Sequence, residues 1–402
     1  MVEKKKSVLI CSHAMELGGA ERVLLGLLEA LDPAECEVDL FLMRHRGELM
    51  KDIPEKIHLL PEIPQYACLA VPIAEVLKKG RFDMAFGRCV AKLEARRTLN
   101  KLGISGENDV ALEYSHKYTK RYMPPVGSKT YDLAISFLTP HYYVAEKVRA
   151  KKKLAWIHTD YSVVSVDRES ELRMWMPYDR IISISDQVTE AFLQTFPELR
   201  DKIVMLPHFI PVEYIRRLSN EGEAPELMKH GDEIRLLSIG RFCVQKNFDN
   251  VPDICRRLRE KGLNVKWFLI GYGSDEAVIR QKIEEAGMQE YVVILGKKEN
   301  PYPYIKACDL YVQPSRYEGR SVCVIEAQIL EKPVVITAYP TAGSQLRDGV
   351  DGVIVPLDNA GCAAGIAELL GDEETKEKLR QNCRATAYDG SEGLRQLYAM
   401  ME

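Results

Sequence analysis

An α/β chain built from two doubly wound parallel sheets is predicted, and three observations carry that prediction. Short β-rich runs alternate with amphipathic helical patterns through almost all of the 402 residues, the signature of strands covered on both faces by helices. The alternation occurs twice, on either side of a polar, breaker-rich stretch, Ser219-Asn220-Glu221-Gly222-Glu223-Ala224-Pro225, inside a linker placed at about 211–233. The chain is also too long for one ordinary compact core. Its 46% hydrophobic and 28% charged residues fit a soluble globular protein of about two or three domains.

In the first half the strand candidates are Ser7–Cys11, Val38–Met43, Leu133–Phe137, Leu154–Ile157, Arg180–Ile184 and Ile203–Leu206. Between the first two, the pattern from Ala20 to Leu31 puts Val23, Leu24, Leu27, Leu28 and Leu31 on one helical face. The second half repeats the scheme with Arg235–Ile239, Trp267–Gly271, Val292–Leu295, Leu310–Val312, Val334–Thr337 and Val353–Val355. Helical patterns such as Asn250–Lys261, Ser274–Ala286 and Ser321–Leu330 separate them.

Composition narrows the function classes. The uncharged apolar run Ile63–Ala74 is too short to span a bilayer, and Lys4-Lys5-Lys6 is followed by only Val8-Leu9-Ile10 before polar residues return. Ten cysteines without a CxxC pair fit reduced, buried thiols rather than a disulfide framework or a zinc site, and a cytoplasmic location is expected. The net charge of -4 is unevenly spread: residues 66–153 hold 17 Lys and Arg against 8 Asp and Glu, including Lys78-Lys79, Arg96-Arg97 and Lys151-Lys152-Lys153. That stretch is either an ordinary solvated face or a peripheral contact with anionic lipid at the inner face of the cell membrane. No basic-aromatic motif accompanies it, so no nucleic acid is expected as a partner.

The most informative segment is Pro314-Ser315-Arg316-Tyr317-Glu318-Gly319-Arg320-Ser321, followed by a helix that carries Glu326. Glu318 falls in a loop at a strand's carboxyl end and Glu326 within the next helix. Both can then face one crevice, where carboxylates accept the paired hydroxyls of a sugar or ribose. The bland reading is a surface loop followed by an ordinary helix-face Glu. Arg241 and Lys246 follow the first strand of the second half. An Arg that forks onto two oxygens and a Lys on a mobile stem suit a diphosphate, and no Asp-x-Asp pair occurs to hold a metal beside it. Their bland reading is two exposed loop cations.

Gly18 and Gly19 precede a helix start, where a phosphate or sugar can approach the backbone; the plainer alternative is a tight turn needing positive φ. His158 and Asp160 end an apolar strand and read either as crevice residues or as a satisfied core His beside a turn Asp. Gly271-Tyr272-Gly273 forms a further glycine-containing loop suited to nucleotide contact. Neither half has GxGxxG after its first strand with an acidic residue about 20 positions on, which disfavours a nicotinamide dehydrogenase.

Taken in order, Gly18-Gly19-Ala20-Glu21-Arg22, His158, Gly240-Arg241 with Lys246, Gly271-Tyr272-Gly273 and Glu318-x7-Glu326 resemble the signature of retaining glycosyltransferases of family 4 over nearly the whole chain. Pro314–Ala342 most resembles those that build bacterial capsular and exopolysaccharides. The resemblance implies the GT-B fold, two Rossmann-like domains facing across a cleft. Residues 1–212 would form the acceptor-side domain and 213–387 the donor domain, with a helix in 388–402 returning to the first domain.

It further implies that Arg241 and Lys246 hold the donor diphosphate, Glu326 the ribose and Glu318 the sugar hydroxyls. Gly18, Gly19, Gly271, Tyr272, Gly319, Arg320 and Ser321 would line the nucleotide-sugar site, His158 would steady the donor sugar, and Asp160 would lie on the acceptor side. The implied reaction moves a hexosyl group, with retention, from a UDP-sugar or GDP-sugar to a glycan or lipid-linked sugar acceptor. The nucleotide sugar is then a co-substrate, and no cofactor or metal is required. Arg320-Ser321 stands where many relatives have a bulky apolar residue and Gly, and Gln345 where a Glu is common; both departures leave the donor sugar open. A nucleotide-sugar epimerase, a sugar phosphorylase and a non-catalytic sugar-binding protein are the alternatives on the same fold.

Overall fold

The computed structural model describes residues 5–104, 108–386, 388 and 390–402. The chain divides into two compact units, one comprising Met1–Ile210 with Gly390–Glu402, the other Pro211–Asp389.

The first unit is a parallel sheet of seven strands: β1 Lys6–Ser12, β2 Cys36–Leu42, β3 His58–Leu59, β4 Tyr131–Ser136, β5 Ala150–Trp156, β6 Arg180–Ser183 and β7 Ile203–Met205. Their order across the sheet is β3-β2-β1-β4-β5-β6-β7. Val8 of β1 pairs with Val38 on one side and Leu133 on the other. As the sequence pattern requires for a strand covered on both faces, Val8, Leu9, Ile10 and Cys11 are all fully buried. The helix Gly19–Ala30 buries Val23, Leu24, Leu25, Leu27 and Leu28. It lies so close to the chain at Phe209 that a Cβ on Gly26 would sit 2.3 Å from the Phe209 carbonyl oxygen. The terminal helix Ser391–Ala399 is tied to the same unit, where the Tyr398 hydroxyl accepts the Asp32 amide at 2.8 Å.

The second unit holds six parallel strands: β8 Ile234–Ile239, β9 Val265–Ile270, β10 Val292–Gly296, β11 Leu310–Gln313, β12 Val334–Thr337 and β13 Val353–Val355. Their order is β10-β9-β8-β11-β12-β13. The core is built from these strands and from the inner faces of helices Val251–Glu260 and Asn359–Gly371. Leu236, Trp267, Leu269, Ile254, Leu258, Cys362 and Ile366 are among its fully buried members.

Three expectations need adjustment. The linker at 211–233 contains a helix, Val212–Ser219, whose Tyr214 and Ile215 are buried and whose Tyr214 ring meets Tyr302 edge-on at 6.3 Å. Only the breaker-rich end after Ser219 is irregular, apart from a short 3₁₀ turn at Pro225–Leu227. Strand β5 starts at Ala150, so Lys151-Lys152-Lys153 belongs to the strand, and Lys151 is ion-paired to Asp132 at 2.7 Å. The basic stretch at 66–153 is therefore not one face but is divided among several elements. Strand β3 escapes the sequence pattern because it is two residues long. All ten cysteines are free.

Candidate active site

In the second unit, strand order reverses between β8 and β11. The loops leaving these neighbouring strands diverge toward helices on opposite faces and leave a crevice at the carboxyl ends. The loop after β8 carries Arg241 and Lys246, and the loop after β11 carries Glu318. The two loops are stitched together. Arg316 forks onto Asp249 at 2.7 and 3.0 Å, its amide donates to the Gln245 carbonyl at 2.8 Å, and the Asn247 side chain donates to the Pro314 carbonyl at 2.8 Å. Asn247 adopts φ 59°, a left-handed conformation that Asn tolerates better than most residues.

This stitching sets Lys246 Nζ 2.5 Å from Glu318 Oε1, with the two side chains only 14% and 6% exposed. The ion pair survives desolvation because other donors complete the carboxylate. Ser315 Oγ donates to Oε1 at 2.6 Å and Gln245 Nε2 to Oε2 at 3.2 Å, with Gln313 Nε2 at the longer distance of 3.5 Å from Oε1. Thr341 Oγ1 holds the Glu318 carbonyl at 2.5 Å. The Lys246 stem runs over Gly240, where a Cβ would lie 3.1 Å from its Cδ. Arg241 is exposed and makes no hydrogen bond or ion pair among the described residues.

The Gly271-Tyr272-Gly273 loop packs directly on the loop after β8. A Cβ at Gly271 would lie 1.9 Å from the Gly240 carbonyl oxygen, and one at Gly273 would lie 2.2 Å from that of Phe242. Glycine is therefore required at both positions by close backbone approach. Tyr272 remains exposed, with Lys297 Nζ 5.0 Å from its ring centre.

Glu326 departs from the simple picture of two carboxylates facing one crevice: it is fully buried and accepts the Tyr302 hydroxyl at 3.0 Å. Burial, with Cys323, Glu326 and Glu318 nearby, pushes the Tyr311 phenol far up, so both carboxylates lie within electrostatic reach of this one ring. Ser321 caps the helix Val322–Ile329, and its backbone is gripped on both sides. Gln345 Oε1 accepts its amide at 2.5 Å and Gln345 Nε2 donates to its carbonyl at 3.2 Å. Gly319 and Arg320 lie between Glu318 and this cap, half-buried, with burial pulling the Arg320 guanidinium below its ordinary value.

In the first unit, Gly18 caps the helix Gly19–Ala30 with extended backbone at φ -132°, so neither glycine is there to supply a positive φ. A Cβ at Gly18 would fall 2.1 Å from the Glu21 carboxylate. His158, past the end of β5, packs against Phe137 at 4.6 Å and stacks on Trp156 and His208 at 6.3 and 6.2 Å. Burial pushes its imidazole down to about 3, so it is neutral at physiological pH. Asp160 is buried, and its Oδ1 accepts the Ser162 amide and hydroxyl at 2.9 and 2.6 Å.

Sequence reasoning missed the residues that hold these groups. Gln245, Ser315, Asn247 and Arg316 were given no role, although Ser315 and Arg316 lie in the segment singled out above and the polar run Gln245-Lys246-Asn247 was a usable signal. It also missed that His158 has company. His13 lies 5.8 Å from His116 by ring centres, burial lowers both together with His141, and His13 Nε2, His116 Nδ1 and His158 Nε2 are buried without a partner among the described residues.

Comparisons with known proteins bear on the family of the second unit and on the fold of the whole chain. Residues 220–386 match the family of Glycosyl transferases group 1. This segment is a glycosyl transferase domain. The whole chain is similar to the N-acetylgalactosamine-N,N'-diacetylbacillosaminyl-diphospho-undecaprenol 4-alpha-N-acetylgalactosaminyltransferase of Campylobacter jejuni, at 24% identity over 94% of each chain. The amylovoran biosynthesis glycosyltransferase AmsD of Erwinia amylovora is 27% identical over 39% of this chain. That match spans 43% of AmsD, and a match to an uncharacterised Methanocaldococcus jannaschii glycosyltransferase spans 42% of that protein, so the chain matches less than half the length of either. Among solved structures, Anabaena HepE in complex with UDP superimposes with a TM-score of 0.65 at 15% identity, covering 98% of this chain and 99% of that one. WaaG, a glycosyltransferase of lipopolysaccharide biosynthesis, gives 0.61 at 14% identity, with 98% and 99% coverage. The fold is GT-B, and the matched segment contains the crevice loops with Arg241, Lys246, Gly271 to Gly273 and Glu318, and also Glu326.

One buried group of the first unit titrates in an accessible range. Burial, reinforced by Glu113 and Asp109 and opposed by the Tyr161 hydroxyl at 2.8 Å, pushes the Glu171 carboxyl from 4.5 up to about 8. A raised carboxyl value means that the fold prefers the protonated form, so the stability it contributes is present below about pH 4.5 and is lost as pH rises toward 8. Urea midpoints measured between about pH 7 and 8.5, above the range where the buried histidines contribute, are expected to fall with pH in the wild type and to fall less in Glu171→Gln. Equal slopes would contradict the assignment.

Proposed function

We propose that the protein is a retaining glycosyltransferase that moves a hexosyl group from a nucleotide-diphosphate sugar to a glycan or lipid-linked acceptor in bacterial surface polysaccharide synthesis. A UDP-sugar is favoured over a GDP-sugar, and no metal is required. The observation that carries this reading is the meeting of Lys246 and Glu318, one cation and one carboxylate from different loops, at the strand-order reversal of the glycosyl transferase domain.

In the proposed reaction Arg241 and Lys246 take the two negative charges of the diphosphate, which is the task a metal performs elsewhere. Glu318 accepts sugar hydroxyls, and Glu326 serves the ribose once it turns from Tyr302. The acceptor oxygen bonds to the anomeric carbon on the face from which the diphosphate oxygen departs, and the acceptor proton passes to that oxygen. The neutral imidazole of His158 steadies the sugar. UDP in the Anabaena HepE complex and the diphospho-undecaprenol acceptor in the Campylobacter enzyme's name support the choice of donor and acceptor.

A peripheral position at the inner face of the membrane belongs to the same proposal. No helix among the described residues is long and apolar enough to cross a membrane. The helix Phe82–Leu102, however, presents Phe82, Phe86, Cys89 and Leu93 along one outer stripe, the two Phe being 69% and 59% exposed. Lys92, Arg96, Arg97 and Lys101 are exposed along the same helix. Aromatic anchors among cations fit an anionic lipid surface.

Three measurements test the reading. UDP or GDP is expected to raise the melting temperature of the full chain equally with and without EDTA, because a ligand held only by the fold stabilises it. Arg241→Ala and Glu326→Ala should abolish donor turnover while remaining folded, whereas wild-type turnover in both would sink the assignment. In flotation assays the protein should bind phosphatidylglycerol vesicles at low salt, release at high salt, ignore phosphatidylcholine vesicles, and bind less as Phe86→Glu. No binding to the anionic vesicles at low salt would remove the membrane contact.

A further inference from the structure

Glu318 and Lys246 satisfy one another, and that conflicts with the tasks each would perform for a donor. A carboxylate offers roughly two lone pairs on each oxygen, and gripping two neighbouring sugar hydroxyls requires a vacancy on both. Oε2 accepts from Gln245 at 3.2 Å and keeps one position. Oε1 already takes Lys246 at 2.5 Å and Ser315 at 2.6 Å, so it has none. Ser315 is the fixed donor of the two, because its hydroxyl also accepts from Gln313 Nε2 at 2.9 Å and its carbonyl is held by Thr337 Oγ1 at 2.5 Å. Lys246 is the movable one. Its ammonium ends a four-carbon stem that lies over Gly240, where the absence of a Cβ leaves the stem room to swing.

We propose that the Lys246–Glu318 ion pair is a displaceable latch: a diphosphate that draws Lys246 away frees Glu318 Oε1 for a sugar hydroxyl, and the pair re-forms once diphosphate and sugar have been separated. The inference rests on the reading of this crevice as a nucleotide-sugar site and adds a coupling to it. An intact donor supplies both halves of the exchange. A free nucleoside diphosphate supplies only one and must compete with Glu318 for the lysine, so the latch favours loading of donor and release of spent nucleotide. By reciprocity, whatever the diphosphate does for sugar affinity the sugar does for diphosphate affinity.

The test is isothermal titration of the full chain with UDP, with UDP-glucose, and with GDP in parallel. In Glu318→Gln the competitor for Lys246 loses its charge but keeps its shape, and UDP is expected to bind about fivefold tighter than to the wild type, at the low end of ordinary coupling. UDP-glucose should gain less or bind more weakly, so that the preference for sugar-bearing nucleotide over UDP shrinks. A residue with a merely structural role would weaken both ligands together. Should the Gln variant fail to fold, Glu318→Asp, which withdraws the charge by one methylene, should shift UDP affinity in the same direction by less. Unchanged or weaker UDP binding in a folded variant overturns the latch. Arg241→Ala separates the two layers of the argument. Nucleotide binding that is unaffected by it removes the site reading and the latch with it, whereas weakened binding with no gain in Glu318→Gln removes the latch alone.

Discussion

The reversal of strand order between β8 and β11 is the constraint on which the candidate site depends. These strands are neighbours in the sheet although more than 70 residues separate them, and the loops that leave them carry the cation and the carboxylate. A parallel sheet allows such a crevice at one place, where consecutive crossovers change direction. Everything chemical in the second unit is organised around it. Arg316 with Asp249, and Asn247 with the Pro314 carbonyl, hold the two loops in register, and the glycines of 271–273 let a third loop close against them.

That framework explains why a nearly buried ion pair is tolerated. Two charges removed from water gain little from each other unless the remaining lone pairs are filled. Gln313 at the end of β11, Gln245 in a 3₁₀ turn and Ser315 two residues past β11 do this on the carboxylate. Arg241, by contrast, stands exposed among the described residues and is available to an incoming anion without cost to the fold. The two cations named by the sequence therefore have different standing: one is engaged and must be released, and the other is ready.

Much of this was legible in the sequence. Short β-rich runs marked twelve of the thirteen strands among the described residues, and Val334–Thr337 and Val353–Val355 coincide with their predicted bounds because Val and Ile end abruptly there. The positions of Arg241, Lys246, Tyr272 and Glu318 in loops after strands, and of Glu326 in the helix that follows, were legible in the sequence. What was not legible arises from contacts across the chain. Periodicity could not place Glu326 against Tyr302, nor Gln345 on the Ser321 backbone, because each needs the position of a neighbouring element. The cluster of neutral imidazoles in the first unit was hidden for the same reason, since His13, His116, His141 and His158 come from four separate segments. The helix at Val212–Ser219 was hidden by its polar composition, which masks the two residues, Tyr214 and Ile215, that bury it.

The central claim is that the crevice between β8 and β11 is where a nucleoside diphosphate binds. Hydrogen–deuterium exchange on the full chain, with and without saturating UDP, tests it most directly, because slowed amide exchange reports where a ligand restrains opening. The account predicts protection concentrated in 240–247, 271–273 and 314–322, the loops at the carboxyl ends of β8, β9 and β11. Protection confined to other segments, with these loops unchanged while UDP is bound, would contradict it.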